Sequence, residues 1–181
     1  MNLKYSLNQD DYLQHQLYDA SISKSAKKER LKSWLLVVFG FVLMTFYVYS
    51  NGKKFTFYIS CTITLLSLIF YPFYLKKHYK KHYLKFVIDN YKNRFGIESN
   101  LAFKESFLET INTTGESKIN YSSLEKIIEI SSHFFLKIKT GGALIIPKSG
   151  VDNIEKTRME LKSLSKKIKI DYSSHLDWKW K

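Results

Sequence analysis

Two stretches of this chain carry no charged side chain, and they limit what it can fold into. The first is WLLVVFGFVLMTFYVYS, Trp34 to Ser50, 17 residues; the second is FTFYISCTITLLSLIFYPFYL, Phe55 to Leu75, 21 residues. A helix rises about 1.5 Å per residue, so a bilayer core of about 30 Å takes about 20 residues, with roughly 17 as the short limit. Both blocks are long enough to span. The soluble alternative is a pair of core helices. Neither block has a polar face for water, however, and a 181-residue chain has little else to wrap them. A cleaved leader fits worse, because the first block starts more than 30 residues in and no small-residue cleavage pattern follows.

The connector is NGKK, Asn51 to Lys54, and Asn-Gly is a strong turn dipeptide. So short a link makes the two helices antiparallel neighbours, a transmembrane hairpin. Trp34, Tyr47, Tyr49, Phe55, Tyr58, Tyr71 and Tyr74 fall towards the block ends, where amphipathic rings favour the headgroup region.

The formal net charge is +13, which on composition alone points to an anionic partner. Its distribution decides which one. Residues 24 to 32 hold five cations (Lys24, Lys27, Lys28, Arg30, Lys32) against one acid, Glu29. Residues 76 to 85 hold five more (Lys76, Lys77, Lys80, Lys81, Lys85) and no acid. The turn has only Lys53 and Lys54. That asymmetry is a positive-inside pattern with both termini cytoplasmic, and each such cation near an anionic leaflet contributes about 1 kcal/mol of attraction. The ten cations are therefore read as a membrane-interface, anionic-lipid site. Residues 86 to 181 hold 16 cations against 12 acids, too even a balance for a strong nucleic-acid domain.

His78 and His82 sit four apart, a metal-ligand spacing on a helix, but no zincin glutamate follows and no cysteine is near. No metal and no cofactor is expected. Tyr79 and Tyr83 among the lysines fit interfacial anchoring better than base stacking. Cys61, the one cysteine, lies mid-span, so no disulfide framework exists. Ser60, Thr62, Thr64 and Ser67 are expected to bond within or between helices rather than to line a pore.

Outside the blocks the pattern varies. Leu3, Tyr5 and Leu7 alternate with polar residues as a short strand, and Asn8, Asp10 and Asp11 can cap a helix carrying Leu13, Leu17 and Ala20 on one side, with a break near SISKS. A helical look persists after the second block to about residue 94, and Gly96 stops it. The period then changes to two. LAFKESFLETINTT, KINYS, LEKIIEIS, SHFFLKIKT and ALIIPK read as five or six antiparallel strands. Leu124, Lys126, Ile128 and Ile130 share one face, as do Phe134, Leu136 and Ile138. Asp152 or Asn153 caps a last helix with Ile154, Leu161, Leu164 and Ile168 at helical spacing; Lys156, Arg158, Lys162 and Lys166 form its solvated side. The tail DYSSHLDWKWK is amphipathic, which suits adsorption to a membrane, and equally a partly disordered tail or one packed on the domain.

No phosphate-cradling loop, G-x-S-x-G elbow or H-E-x-x-H occurs, and the chain is not expected to be an enzyme. His133 beside Ser131 and Ser132 reads as an exposed turn histidine. Glu105, Glu109, Glu125 and Glu129 read as solubilising charge on strand faces.

The order of parts, with YSLNQDDYLQHQLYDA at the start, a YPFYLKKHYKK exit and INYSSLEKIIEISSHFFLKIKTGGALIIPKSG beyond it, resembles the YcxB-like family of bacterial membrane proteins. None of these stretches is a catalytic motif. The resemblance implies a bacterial cytoplasmic membrane location. It also implies a C-terminal pleckstrin-homology-like domain, a partly open barrel or sandwich capped by a helix, whose sheet the N-terminal strand joins. The expected architecture is thus an α+β membrane protein. It comprises an N-terminal strand and amphipathic helix (1–32), a hairpin (33–75, spans about 33–50 and 55–75), a basic juxtamembrane helix (76–95), a cytoplasmic β domain with its helix (96–170) and a tail (171–181). Its expected role is a non-enzymatic interaction, scaffold or regulatory module with a protein partner or a second copy. The alternative is immunity to a membrane-acting toxin. A channel is disfavoured by the uncharged spans.

Overall fold

A computed structural model describes residues 1–52 and 54–180. Lys53 of the turn and Lys181 of the tail lie outside the described residues. The chain forms two compact units, one of Met1–His15 with Phe86–Lys179, the other of Gln16–Lys85 with Trp180.

The second unit is the hairpin. Helix α1 (Gln9–Ile22) ends at the expected break, and Ser23 caps α2 (Lys24–Ser50) by accepting the Ala26 N–H at 3.3 Å. The turn at Asn51–Gly52 puts Gly52 at φ 68°, a left-handed conformation that favours glycine. Helix α3 (Lys54–Tyr91) follows and runs on through Pro72, well past the apolar block. Both α2 and α3 are long and apolar enough to cross a membrane. Thr45 hydroxyl contacts to Ser60 and Thr64, and Ser33 to Tyr71, establish the antiparallel pairing.

The first unit is a β domain of two four-stranded sheets and a helix. Strand β1 (Asn2–Ser6) pairs antiparallel with β2 (Glu98–Phe103), as the resemblance implied, so all of α1, α2 and α3 is inserted in the chain between two adjacent strands. Strands β3 (Phe107–Asn112) and β4 (Gly115–Asn120) complete this sheet in the order β1-β2-β3-β4. The other sheet contains β5 (Leu124–Ile130), β6 (His133–Ile138), β7 (Ala143–Pro147) and β8 (Asp171–His175) in the order β7-β6-β5-β8. Helix α4 (Ile154–Ile168) links β7 to β8. Asn153 caps it through the Lys156 N–H at 2.9 Å.

The core gathers Tyr5, Leu101, Leu108, Leu124, Ile127, Phe134, Leu136, Ile146, Leu161 and Leu164. Two expectations change here. The strand 124–130 does not keep one alternation, because a register shift between Leu124 and Lys126 lets Leu124 and Ile127 share the core face. Residues 171–175 are not tail but strand β8, parallel to β5. Its sequence, DYSSH, is polar because the strand lies at a sheet edge and buries little.

Candidate functional site

The ten predicted interface cations divide between the start of α2 and the later part of α3, which the antiparallel pairing brings to the same end of the hairpin. Nine are exposed; Arg30 is half-buried. Lys32 pairs with Glu29 at 3.3 Å, an exposed contact that leaves the cluster strongly basic. Arg30 sits 4.9 Å over the Trp180 ring, which donates its indole N–H to the Lys76 carbonyl at 3.1 Å and meets Tyr83 edge-on at 6.1 Å. Trp180 therefore packs on the basic end of the hairpin, a contact the tail's composition did not reveal. His78 stacks on Tyr74 and His82 meets Tyr83 edge-on, so both join an aromatic ladder. No group of three metal-ligating side chains forms among the described residues.

Between α2 and α3 the hydroxyls bond to each other and to their own helix backbone. A hydroxyl has one proton to give. Thr45 donates its own to the Phe41 carbonyl (2.9 Å), so the Ser60 hydroxyl at 2.7 Å donates to Thr45. Thr64 donates to the Ser60 carbonyl at 2.9 Å and lies 3.0 Å from Thr45. Beside this cluster Val42, Phe46, Cys61 and Leu65 line an apolar groove of about 520 Å3.

In the β domain the main surprise is Glu129. It is not surface charge but 1 % exposed. Strand β5 turns it to the α4 side, where three donors converge on it. Lys148 reaches it at 2.7 Å, the Arg158 guanidinium at 2.6–3.0 Å and the Tyr172 hydroxyl at 2.6 Å. Arg158 was expected on a solvated helix face; it instead bridges Glu129 and Glu155. Burial pushes the Glu129 carboxyl up, but the Arg158, Lys148 and Tyr172 hydrogen bonds outweigh it and hold it down at about 2. Arg158 is raised by the same bonds, and Tyr172 is raised by burial and by its bond to Glu129. Lys148 also lies 4.8 Å over the Phe134 ring. The carboxylate thus ties together β5, the turn after β7, α4 and β8.

Three of these four residues fall in one contiguous stretch. Residues 103–160 match the YcxB-like protein family. No curated protein and no solved structure matches the chain. The YcxB-like segment runs from the end of β2 into α4 and includes the YSSLEKIIEI and ALIIPK stretches on which the resemblance rested. Tyr172 closes the network from outside it.

The YcxB-like segment also holds His133, which is 4 % exposed rather than a surface turn residue. Its Nε2 lies 2.9 Å from the Asp11 carboxylate and its Nδ1 2.7 Å from the Ser132 hydroxyl. In the neutral ring Nε2–H donates to Asp11 and Nδ1 accepts from Ser132. The other Asp11 oxygen accepts the Asn8 N–H at 2.7 Å, while Asn8 accepts from the Asp10 and Asp11 N–H groups at 2.7 and 3.1 Å. This reciprocal cap fixes Asp11, and Asp11 fixes the imidazole. His15 meets Phe135 edge-on at 5.1 Å beside it. The arrangement docks the first turns of α1 on the outer face of β6. Asp11 and His133 are 122 residues apart, a separation no local pattern bridges.

Proposed function

We propose that this is an integral protein of a bacterial cytoplasmic membrane. Helices α2 and α3 span it, both termini are cytoplasmic, and the β domain is a non-enzymatic, pleckstrin-homology-like interaction module held at the membrane. The observation that carries the reading is the hairpin. Its large apolar side chains from Leu35 to Tyr74 are mostly exposed, and a cluster of five cations stands outside each span. Exposed apolar surface on that scale needs a hydrocarbon solvent. The cations at one end match the anionic face of the leaflet. Two four-stranded sheets, antiparallel except for β8, with α4 following β7, support the pleckstrin-homology-like reading. Glu129 with its three donors, and His133 with Asp11, are taken up in contacts that hold the β domain together.

Cysteine accessibility tests this directly. In a Cys61→Ser background, Asn51→Cys in the turn is expected to react with a membrane-impermeant maleimide in intact cells. Asn100→Cys on β2 is expected to react only after lysis. Labelling of Asn100→Cys in intact cells would reverse the topology. Recovery of both cysteines in a soluble fraction would remove the membrane reading altogether.

A further inference from the structure

The β domain presents four sheet edges, and they are not equally open. The β1 edge is covered by the turn at Lys148–Gly150, where Gly150 lies so close that an added Cβ would stand 2.7 Å from Tyr5 Cβ. Strand β7 ends in Pro147, which has no N–H to offer. Strand β8 is also an open edge, but its sequence, DYSSH, holds no lysine or arginine to pair with Asp171. Strand β4 is not covered by another element; its exposed Lys118 pairs with Glu109 of β3 at 3.4 Å and lies 5.8 Å from the Phe107 ring, so a partner's carboxylate would share it. Five of its six residues are exposed, and no strand lies beyond it in its sheet. It contains no proline, and its bulky charges do not point inward.

Its hydrogen-bonding direction follows from register. Asn112 pairs with Gly115 across a two-residue turn, so they form the closing hydrogen-bonded pair of the hairpin. Gly115, Ser117 and Ile119 therefore bond inward to β3. The N–H and C=O groups of Glu116, Lys118 and Asn120 point to the open edge.

The sequence of this edge, GESKIN, is complementary to itself. If two copies meet antiparallel about Ser117, each Glu116 stands opposite the other copy's Lys118. These are also the residues whose backbone groups face outward, so charge pairing and ladder bonding select the same register. Ser117 then faces its counterpart in a non-hydrogen-bonded pair, where Cα atoms approach to about 4.5 Å. A one-residue slip would set outward-facing backbone against inward-bonded backbone, and a two-residue slip would set Glu116 opposite Glu116 or Lys118 opposite Lys118.

We propose that the β4 edge is a homodimer interface, occupied by β4 of a second copy of this chain in antiparallel pairing centred on Ser117. This deepens the interaction-module reading by naming the partner and rests on it.

The test uses the full-length protein in nanodiscs with Cys61→Ser. Under mild oxidation Ser117→Cys is expected to give a disulfide-linked dimer, because a Cα separation of about 4.5 Å falls within disulfide range. Asn100→Cys, on β2 two strands away in the same sheet, serves as the control. Glu116→Lys is expected to lower the crosslinked fraction about five-fold by setting two like-charge pairs across the ladder. Adding Lys118→Glu together with Glu109→Gln, which removes the like charge that residue 118 would otherwise face on β3, should restore the dimer. Glu116 is exposed, so Glu116→Lys leaves the fold intact and an unchanged melting curve confirms that. Crosslinking of Ser117→Cys no greater than of Asn100→Cys would overturn the proposal, as would failure of the charge swap to rescue. A monomer whose Ser117→Cys instead captures another membrane or cytoplasmic protein would also overturn the homodimer, while leaving the interaction-module reading in place.

Discussion

The hairpin and the β domain handle polarity in opposite ways. Along α2 no side chain is buried, its surface from Trp34 to Ser50 is uncharged, and the few hydroxyls are turned towards α3 or back to the helix backbone. The β domain encloses a dense apolar core and places a carboxylate, a lysine and a guanidinium against it. In the hairpin a single charge is out of place; in the β domain the loss of one is. On the proposed reading each region is matched to its solvent, and substitutions that exchange the two chemistries test that match.

The largest effect is expected at Glu129. Removing one partner of a buried ion network strands the others, and Glu129→Ala leaves Lys148 and Arg158 facing a cavity. A loss of about 3–5 kcal/mol is expected, measured by denaturant unfolding of the full-length protein in micelles and followed through a β-domain signal. The network also sets an acid limit. Its folded carboxyl lies at about 2 against an ordinary 4.5, so the unfolded chain binds the proton more readily. The contribution is complete above about 4.5 and is lost as pH falls towards about 2. In Glu129→Gln that part of the acid dependence should disappear. An unchanged acid transition would mean that other carboxylates control it.

The mirror-image substitution is Leu65→Arg, at the centre of the second span on an exposed side chain. A charge there costs about 2.5–3.5 kcal/mol of insertion. Less protein is expected in the alkali-resistant membrane fraction, with the β domain's own melting transition unmoved. Equal membrane recovery would break the comparison by showing that the hairpin does not sit in hydrocarbon.

These two regions were also unequally legible in the sequence. Hydropathy is a local property, so the two blocks, their antiparallel pairing and the basic clusters could be read without knowing any fold. The strands 98–147 followed from period-two alternation and turn residues. What escaped was the long-range chemistry. Glu129 looks like any strand glutamate until Lys148, Arg158 and Tyr172 arrive from three other elements. His133 needs Asp11 from the other side of the inserted hairpin. Strand β8 has almost no apolar residues to announce it, and the irregularity at Leu124–Lys126 defeats a simple alternation count. Only the second half of β4 was visible, as KINYS; Gly115, Glu116 and Ser117 read as part of a turn, TTGES, and the openness of the edge depends on which strands end a sheet, a property of topology.

A smaller perturbation probes how the insertion is tied to its sheet. Strand β1 is separated from β2 by the whole of α1, α2 and α3, yet pairs with it over five residues. Gly150 packs on that strand, and a methyl there would meet Tyr5 Cβ at 2.7 Å, too close without a shift of backbone. Gly150→Ala should cost about 1–3 kcal/mol by overpacking. Faster amide exchange is expected in β1 and β2 than in β6. Uniform exchange across both sheets would show instead that β1 is released only on global unfolding.

The smallest effect is expected inside the hairpin. Thr45→Val keeps the shape of the side chain while deleting the acceptor that Ser60 uses at 2.7 Å and the contact to Thr64 at 3.0 Å. Interhelical hydrogen bonds in membranes average about 0.6 kcal/mol, with about 1.7 as the upper end, because a separated helix finds other partners for its hydroxyls. Here Ser60 can turn to a backbone carbonyl one turn back on α3, as Thr64 already does. A change below about 1 kcal/mol in hairpin stability, measured by steric trapping, is therefore expected. A loss as large as that of Glu129→Ala would mean that the hydroxyl cluster is a buried polar network of the same kind, and the contrast between the two regions would be one of composition only.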